Sequence, residues 1–253
     1  MKKRILLSIS VCLTALIGLA QNGAHIEYKL TSDVGATGNI TVYYMDGNSR
    51  TEMLMNVPQL PGGAINMTTI TQKDKANTHY QLNDKNKTYK EIVSNPSDKA
   101  KEENQECVVT VLGHEKIGTY NCTHVNVKQG KTTHEMWTTT EVPDYQNYAS
   151  IKSGKYMGNE KLRKALADKG AQGFAAKIIY KEEGGREGTM TMELMKFEKT
   201  AVQADKFQIP SDYTKSESSG SATGVVPNAQ DIMNMTPEER AKMIEQMKKQ
   251  YGK

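Results

Sequence analysis

The sequence predicts a mainly β fold, a strongly curved antiparallel sheet with helices packed against it. Short segments of alternating apolar and polar residues recur along the chain, and turn signals such as Asp46-Gly47 separate them. Helical spacing occurs in only two segments, and no internal repeat is present. About ten strands and two helices suit one large sheet that buries one face under its helices.

The first 20 residues have the features of a secretory signal peptide. Basic residues 2–4 precede an uncharged apolar core over residues 5–19, and small Ala20 ends the segment. A core of about 15 residues is too short to span a membrane comfortably, and no later stretch is apolar enough to do so. Cys12 lies inside this core rather than at its end, so no lipid anchor is predicted. We expect a mature periplasmic protein.

Net charge gives no indication of a nucleic-acid partner. The chain has 33 basic and 29 acidic residues, and three of the basic ones lie in the predicted signal peptide. The mature chain is therefore close to neutral, with 30 basic residues against 29 acidic. Binding to nucleic acid normally needs a clustered basic face, which this pattern does not provide.

The N-terminal half contains six predicted strands, with a turn signal at each tight connection. The predicted strands are 25–30, 40–45, 50–57, 65–71, 78–82 and 88–93. Residues 46–48 and 83–87 are the turns, while Pro and Gly in 58–63 indicate a loop. The charged segment 94–106 has no apolar period and is predicted to cross the surface.

The stretch from Cys107 to Tyr145 has the densest alternation, and we predict three antiparallel strands in it. It holds both cysteines that remain after the signal peptide. A turn at His114 and Glu115 would place Cys107 directly opposite Cys122, at a separation that a disulfide accepts. In an oxidising compartment we expect the bond to form, and the loop it closes predicts a stabilisation of about 3 kcal/mol.

The sole tryptophan, Trp137, also lies in this stretch. With a second turn at Gln129 and Gly130, it would lie opposite Cys122 and beside the disulfide. The same registers place six residues on one face: Cys107, Val109, Val111, Tyr120, Cys122 and Trp137. Two roles stay open for Trp137, packing in the core and contact with a ligand.

The C-terminal half is predicted to add one helix, one hairpin and one edge segment. Asn159 caps the helix, which buries Leu162, Ala165 and Leu166 and ends at Gly170. The hairpin joins residues 174–181 to 189–199, and residues 204–213 form the edge segment. We place the β domain at residues 21–214.

A Ser- and Gly-rich linker is predicted over residues 215–235, followed by an amphipathic helix over residues 236–253. Thr236, Pro237 and Glu239 form a capping box with proline at the first helical position. One face of this helix carries Met243, Ile244, Met247 and Tyr251.

No pattern of catalytic or metal-binding residues is present. The five histidines are His25, His79, His114, His124 and His134. None has metal-ligand spacing with another ligand, and His124 and His134 are predicted on opposite faces, so we interpret them as solvated. No serine lies in a GxSxG motif, and no base is paired with a nucleophile. We predict a non-enzymatic protein without cofactor or metal.

Methionines recur in Met-x-Met pairs, which place both sulfurs on one face of a strand. The pairs are Met53 and Met55, Met190 and Met192, and Met233 and Met235, with Met195 extending the second. Soft thioethers can hold Cu(I) in an oxidising envelope. Flexible, polarisable side chains can also line an apolar cavity that accepts varied shapes, which is the interpretation we favour.

Several short motifs, taken in order, resemble DUF4412, a bacterial family of domains of unknown function associated with the outer-membrane lipoprotein carrier LolA. They are a YYMDG strand and turn, NDKNKTY, GTYNC, EMWTT, EVPDY and FQIP, within Glu27 to Tyr213. Arg50 lies where the carriers have an arginine opening the second strand, although MDGNS replaces the usual Arg-Pro element before it.

This resemblance implies an incomplete β-barrel curled round an apolar cavity, with helices at its open side. The predicted ligand is a lipid, an acyl chain or another apolar molecule. The candidate binding residues are Tyr44, Met53, Met55, Tyr120, Trp137, Met190 and Met192. A second hypothesis is an interaction module whose C-terminal helix binds an envelope protein or lipoprotein.

Overall fold

The computed structural model describes the chain from residue 22 to residue 216 with several gaps. The described residues are 22–33, 35–58, 63–75, 77–94, 106–130, 132–148, 160–182 and 189–216, together with Lys242 and Glu245. The predicted signal peptide lies outside them. Of the predicted C-terminal helix they include only Lys242 and Glu245, both in helical conformation. The proposed domain boundaries and linker stay predictions.

The described residues form mostly β-strands. The strands are β1 (Asn22–Ser32), β2 (Thr37–Met45), β3 (Asn48–Asn56), β4 (Ala64–Thr71), β5 (Thr78–Asn83), β6 (Thr88–Val93), β7 (Cys107–Ile117), β8 (Tyr120–Gln129), β9 (Thr132–Thr139), β10 (Phe174–Glu182), β11 (Met190–Ala201) and β12 (Thr214–Lys215). The α-helices are α1 (Tyr145–Tyr148) and α2 (Glu160–Asp168), and short 3-10 helices lie at Lys73–Lys75 and Ala204–Phe207. The predicted fold class is confirmed.

All twelve strands belong to one curved, unclosed sheet in the order β12-β6-β5-β4-β3-β2-β1-β11-β10-β9-β8-β7. Strand β1 lies in the middle and pairs antiparallel with both β2 and β11, so the two halves of the domain meet there. Strand β7 forms one edge. At the other edge the short β12 pairs parallel with β6. It directly follows the predicted edge segment, residues 204–213, which contains a 3-10 helix and no strand.

The predicted turn between β2 and β3 is confirmed. Asp46 and Gly47 have φ angles of 46° and 83°, and Met45 lies opposite Asn48. Positive φ at both central residues is the signature of a type I′ turn, whose twist matches that of the flanking strands. The four residues between Asn83 and Thr88 likewise connect β5 to β6, as predicted.

The predicted three strands of the Cys107 to Tyr145 stretch are present, but both predicted registers are wrong. The first turn lies at Gly118 and Thr119, where Gly118 has a φ of 57°, and not at His114 and Glu115. The latter two are exposed residues within β7. Charged residues are common on edge strands, where they oppose unwanted pairing, so they did not indicate a turn here.

The predicted disulfide pairing is also wrong. Cys107 lies opposite Gln129 and Cys122 lies opposite Glu115, and both thiols are free. A β-bulge between Val111 and Gly113 adds one residue to β7 and so reverses which side chains face the core on either side of it. Cys107 packs against the main core, whereas Cys122 packs on the opposite face.

We predict that the folded protein keeps two free thiols even after air oxidation. Burial raises the pKa of both thiols, which lowers the reactive thiolate fraction. The Cys107→Ser variant should therefore lack the loss of about 3 kcal/mol that breaking a disulfide of this loop size would cause. The measurement is the intact mass after alkylation in denaturant without reductant, which should show two modified cysteines. A mass with neither cysteine modified would indicate a disulfide and contradict the structure.

One face of the sheet carries the main hydrophobic core. We call this face, with the helices that cover it, the interior. Side chains of β1 to β4 and of β7 to β11 alternate onto it, and Tyr148 of α1 and Leu162 and Leu166 of α2 pack against them. On the other face, a smaller cluster of Ile70, Tyr80 and Leu82 packs against Ile209 and Tyr213 after the last long strand.

Candidate functional site

The interior is apolar along most of the sheet. A row of cross-strand neighbours runs through its centre, and its members are Met136, Ile178, Met192, Leu30, Gly38, Met55 and Ile65. Such direct neighbours have Cβ atoms about 4.5–5.5 Å apart, so the row forms a continuous apolar band. Gly38 contributes no side chain to the row, and the side chains of the other members are almost fully buried.

The two Met-x-Met pairs within the described residues lie in the interior, each with both side chains on one face. Met53 and Met55 are buried in β3, and Met190 and Met192 in β11. Met195 is on the outside, about 60% exposed. Met233 and Met235 lie outside the described residues. With Met136 of β9, five buried thioethers give this interior more rotamer freedom than branched side chains would.

A series of aromatic contacts attaches α1 to the sheet. The Tyr148 ring packs edge-on against Tyr44 of β2 at 5.3 Å and against Phe197 of β11 at 5.2 Å. Phe174 then links Phe197 to Tyr28 through further ring contacts at 5.7 and 6.3 Å. Tyr148, the buried residue of the four-residue helix α1, therefore anchors that helix on the interior.

A salt bridge supports the same helix from outside. Lys199 Nζ of β11 lies 2.5 Å from Asp144 Oδ2, immediately before α1. Both side chains are about half exposed, so the pair contributes little to stability. The second helix, α2, contacts β7 and buries only Leu162 and Leu166. The cover thus buries few apolar side chains compared with the sheet.

Polar side chains are also buried in the interior, on strands β1, β8, β9 and β10. Gln129 and His134 are 3% and 2% exposed. His134 lies directly opposite Tyr180, and their rings are 6.0 Å apart. Burial lowers the pKa of His134 to about 4, so its imidazole is neutral at pH 7.

Tyr28 of β1 is the largest of the most deeply buried side chains. Burial raises the pKa of its phenol far above the usual range, and the neighbouring phenols of Tyr180 and Tyr120 raise it further. Tyr120 belongs to β8, four strands away in the sheet order. Tyr120 can raise the pKa of Tyr28 because the curvature of the sheet brings these distant strands close together around the interior.

Trp137 lies outside the interior. It packs with Cys122 and Ala176 on the opposite face of the sheet, and its cross-strand neighbour is His124 rather than Cys122. The His124 ring stacks on it at 4.0 Å, and Lys177 Nζ lies 4.9 Å from its centre. Its indole N–H donates to the Glu115 carboxylate. These contacts favour core packing over ligand contact.

The remaining predicted site residues border the interior. Met53, Met55, Met190 and Met192 belong to its core, and Tyr44 and Tyr120 pack against that core. Arg50 lies on the other face of β3, and its Nε donates to Glu52 Oε1 at 2.6 Å. The expectation that the histidines are solvated is wrong for His134.

Tyr28, Gln129 and His134 lie in the interior but were not predicted as site residues. Alternation could have indicated His134, because it shares a face of β9 with buried Met136. Gln129 shares a face of β8 with Val125 and Val127 in the same way. A polar residue at an apolar position of an alternating strand was the available signal.

Two features are absent from the described ranges. No group of three or more His, Cys, Asp or Glu residues there could hold a metal ion. No helix in the described part of the chain is long and apolar enough to cross a membrane.

The fold and the interior define a single-sheet β protein whose buried face is apolar and contains methionine. The chain belongs to the family described as a domain of unknown function, DUF4412, whose profile matches residues 23–213. The family prediction is confirmed. No curated protein matches the chain.

Several solved structures are similar to the chain at low sequence identity. An uncharacterized conserved protein from Thermus thermophilus has a TM-score of 0.47 at 9% identity, with 78% of this chain and 91% of that chain covered. The MucA/MucB complex of Pseudomonas aeruginosa has a TM-score of 0.37 at 10% identity, with 76% of this chain and 57% of that chain covered. Lipoprotein LppX of Mycobacterium tuberculosis has a TM-score of 0.36 at 8% identity, with 70% of this chain and 86% of that chain covered.

Proposed function

We propose that the chain is a non-enzymatic binding protein of the bacterial periplasm that holds a lipid, an acyl chain or a similar apolar ligand in its interior. The observation that carries the proposal is the continuous apolar band, on a face of the sheet that holds five buried methionines. Methionine side chains can change rotamer at little cost and refill space when a ligand chain enters or leaves.

Entry of a ligand requires the cover to move, because the side chains beneath it are buried. The contacts of α1 and α2 suit such movement, since these helices bury only three side chains: Tyr148, Leu162 and Leu166. A 12-carbon chain gains at most about 9 kcal/mol from burial, at about 0.8 kcal/mol per methylene. After the costs of association, a dissociation constant of about 1 μM or weaker is expected.

The test is binding of diphenylhexatriene, an apolar dye that fluoresces only away from water. The mature protein should raise its fluorescence saturably, and lipid extracted from freshly purified protein should compete. Met192→Phe should weaken dye binding at least about fivefold, because a larger, stiffer ring fills space that the methionine can vacate.

The matched control is Met195→Phe, three positions along β11 on the exposed surface. This variant should bind the dye as the unaltered protein does. Circular dichroism should confirm that both variants are folded. The proposal fails if neither dye uptake nor a co-purified lipid is detected, or if the two substitutions have equal effects.

A further inference from the structure

Three buried polar side chains lie next to one another on neighbouring strands of the interior: Gln129 on β8, His134 on β9 and Tyr180 on β10. His134 pairs directly with Tyr180 on one side and with Val127 on the other. Gln129 lies two residues beyond Val127 on the same face, so it is the diagonal neighbour of His134, at about 7–8 Å. Together they form one polar patch at the end of the apolar band.

Gln129 is the member of this patch that indicates a ligand. Its side-chain carbonyl oxygen, Oε1, is buried and has no hydrogen-bond partner among the described residues. A buried acceptor without a partner is disfavoured, and folded proteins rarely keep one. The cross-strand neighbours of Gln129 are Cys107 and Thr132, and the Thr132 hydroxyl donates to the main-chain oxygen of Gln129 and not to its side chain.

The patch carries no charge. Within the described part of the chain, the buried polar residues other than tyrosine are Thr68, Gln129, His134, Thr138 and Thr139, with no lysine, arginine, aspartate or glutamate. The His134 imidazole is neutral at pH 7, since burial disfavours its protonated form and lowers its pKa. An ionised carboxylate brought here would lose its hydration, and no buried cation among the described residues would compensate it, which is strongly unfavourable.

We infer that Gln129, with His134 and Tyr180 beside it, receives the polar end of an amphiphile whose head group is uncharged and donates a hydrogen bond. A primary alcohol or a carboxamide has this chemistry, whereas an ionised fatty acid does not. The donor would satisfy Gln129 Oε1 while the alkyl chain lies along the methionine band. This inference rests on the proposed function and specifies its ligand class.

Displacement of diphenylhexatriene by three competitors that share a 12-carbon chain tests the inference. Dodecan-1-ol donates a hydrogen bond, its methyl ether has the same chain but no donor, and laurate is ionised at pH 7.5. We expect the alcohol to compete about fivefold better than the ether, the effect of one net hydrogen bond. Laurate should be the weakest of the three.

The decisive variant is Gln129→Met, which keeps the volume and removes the acceptor. It should lose the preference for the alcohol over the ether, with both competitors measured against the variant's own affinity for the dye. Its melting temperature should rise by about 2–6 °C without ligand, because the buried acceptor without a partner is gone. Asn126→Leu, on the other face of β8, is the control and should keep the preference.

The outcomes separate this inference from the function on which it rests. If the dye does not bind, the proposed function fails and this inference fails with it. If the dye binds but the alcohol and the ether compete equally, or if Gln129→Met keeps the preference, only the inference is overturned. A lower melting temperature for Gln129→Met would also overturn the inference, because the Gln129 side chain would then stabilise the folded protein without any ligand.

Discussion

Replacing Gly38 with alanine is expected to lower the free energy of unfolding by about 3 kcal/mol, an overpacking effect at the upper end of the usual range. A Cβ atom at this position would lie 2.3 Å from the main-chain oxygen of Leu54 and 2.9 Å from the Cα of Met55. Both atoms belong to the backbone of β3, so no side-chain rotation relieves the clash. Strands β2 and β3 would have to move apart.

The displaced residue Met55 is part of the interior, and Gly38 lies between it and Leu30 in the apolar band. Gly38→Ala should therefore also reduce diphenylhexatriene binding. Gly113→Ala in β7 is the matched control, because a Cβ there has no neighbour within 4 Å. Urea unfolding followed by circular dichroism should show the control within about 0.5 kcal/mol of the unaltered protein. Equal losses in both variants would contradict the packing argument.

The sequence predicted the fold class and the turns that have strong local signals. Asp46-Gly47 and the residues after Asn83 specify tight connections by their own conformational preferences, and both were found where predicted. The turn at Gly118 was missed because Gly113, His114 and Glu115 resemble a turn more closely. Their presence in a strand depends on β7 being an edge of the sheet, which is a property of the topology.

The candidate site was predicted less well than the fold. Alternation placed the paired methionines on one face, since this follows from strand geometry alone. The cysteines and Trp137 needed the register, and one bulged residue in β7 was enough to separate Cys107 from Cys122. The buried polar patch depends on which strands become neighbours. Nothing local in the sequence relates Gln129 to Tyr180.

Acidification is expected to destabilise the protein through His134. Its pKa is about 4 in the folded protein, against an ordinary value of 6.5. Below pH 6.5 the unfolded chain binds a proton that the folded protein does not, so the stability that the neutral ring provides is complete above pH 6.5 and is lost as the pH falls towards 4. Between pH 7.5 and pH 4.5 this single residue should cost about 2–3 kcal/mol.

The measurement is the free energy of unfolding of the unaltered protein and of His134→Leu at both pH values. Carboxylates and other titrating groups contribute to both proteins, so the difference between their pH dependences isolates His134. His134→Gln, which keeps polar atoms but does not titrate, should show the same flatter dependence as His134→Leu. If both variants lose as much stability as the unaltered protein at pH 4.5, the buried ring is not the acid-sensitive group. If they lose about 2–3 kcal/mol less, a neutral histidine in the interior is established, and with it the uncharged character of the patch that Gln129 shares.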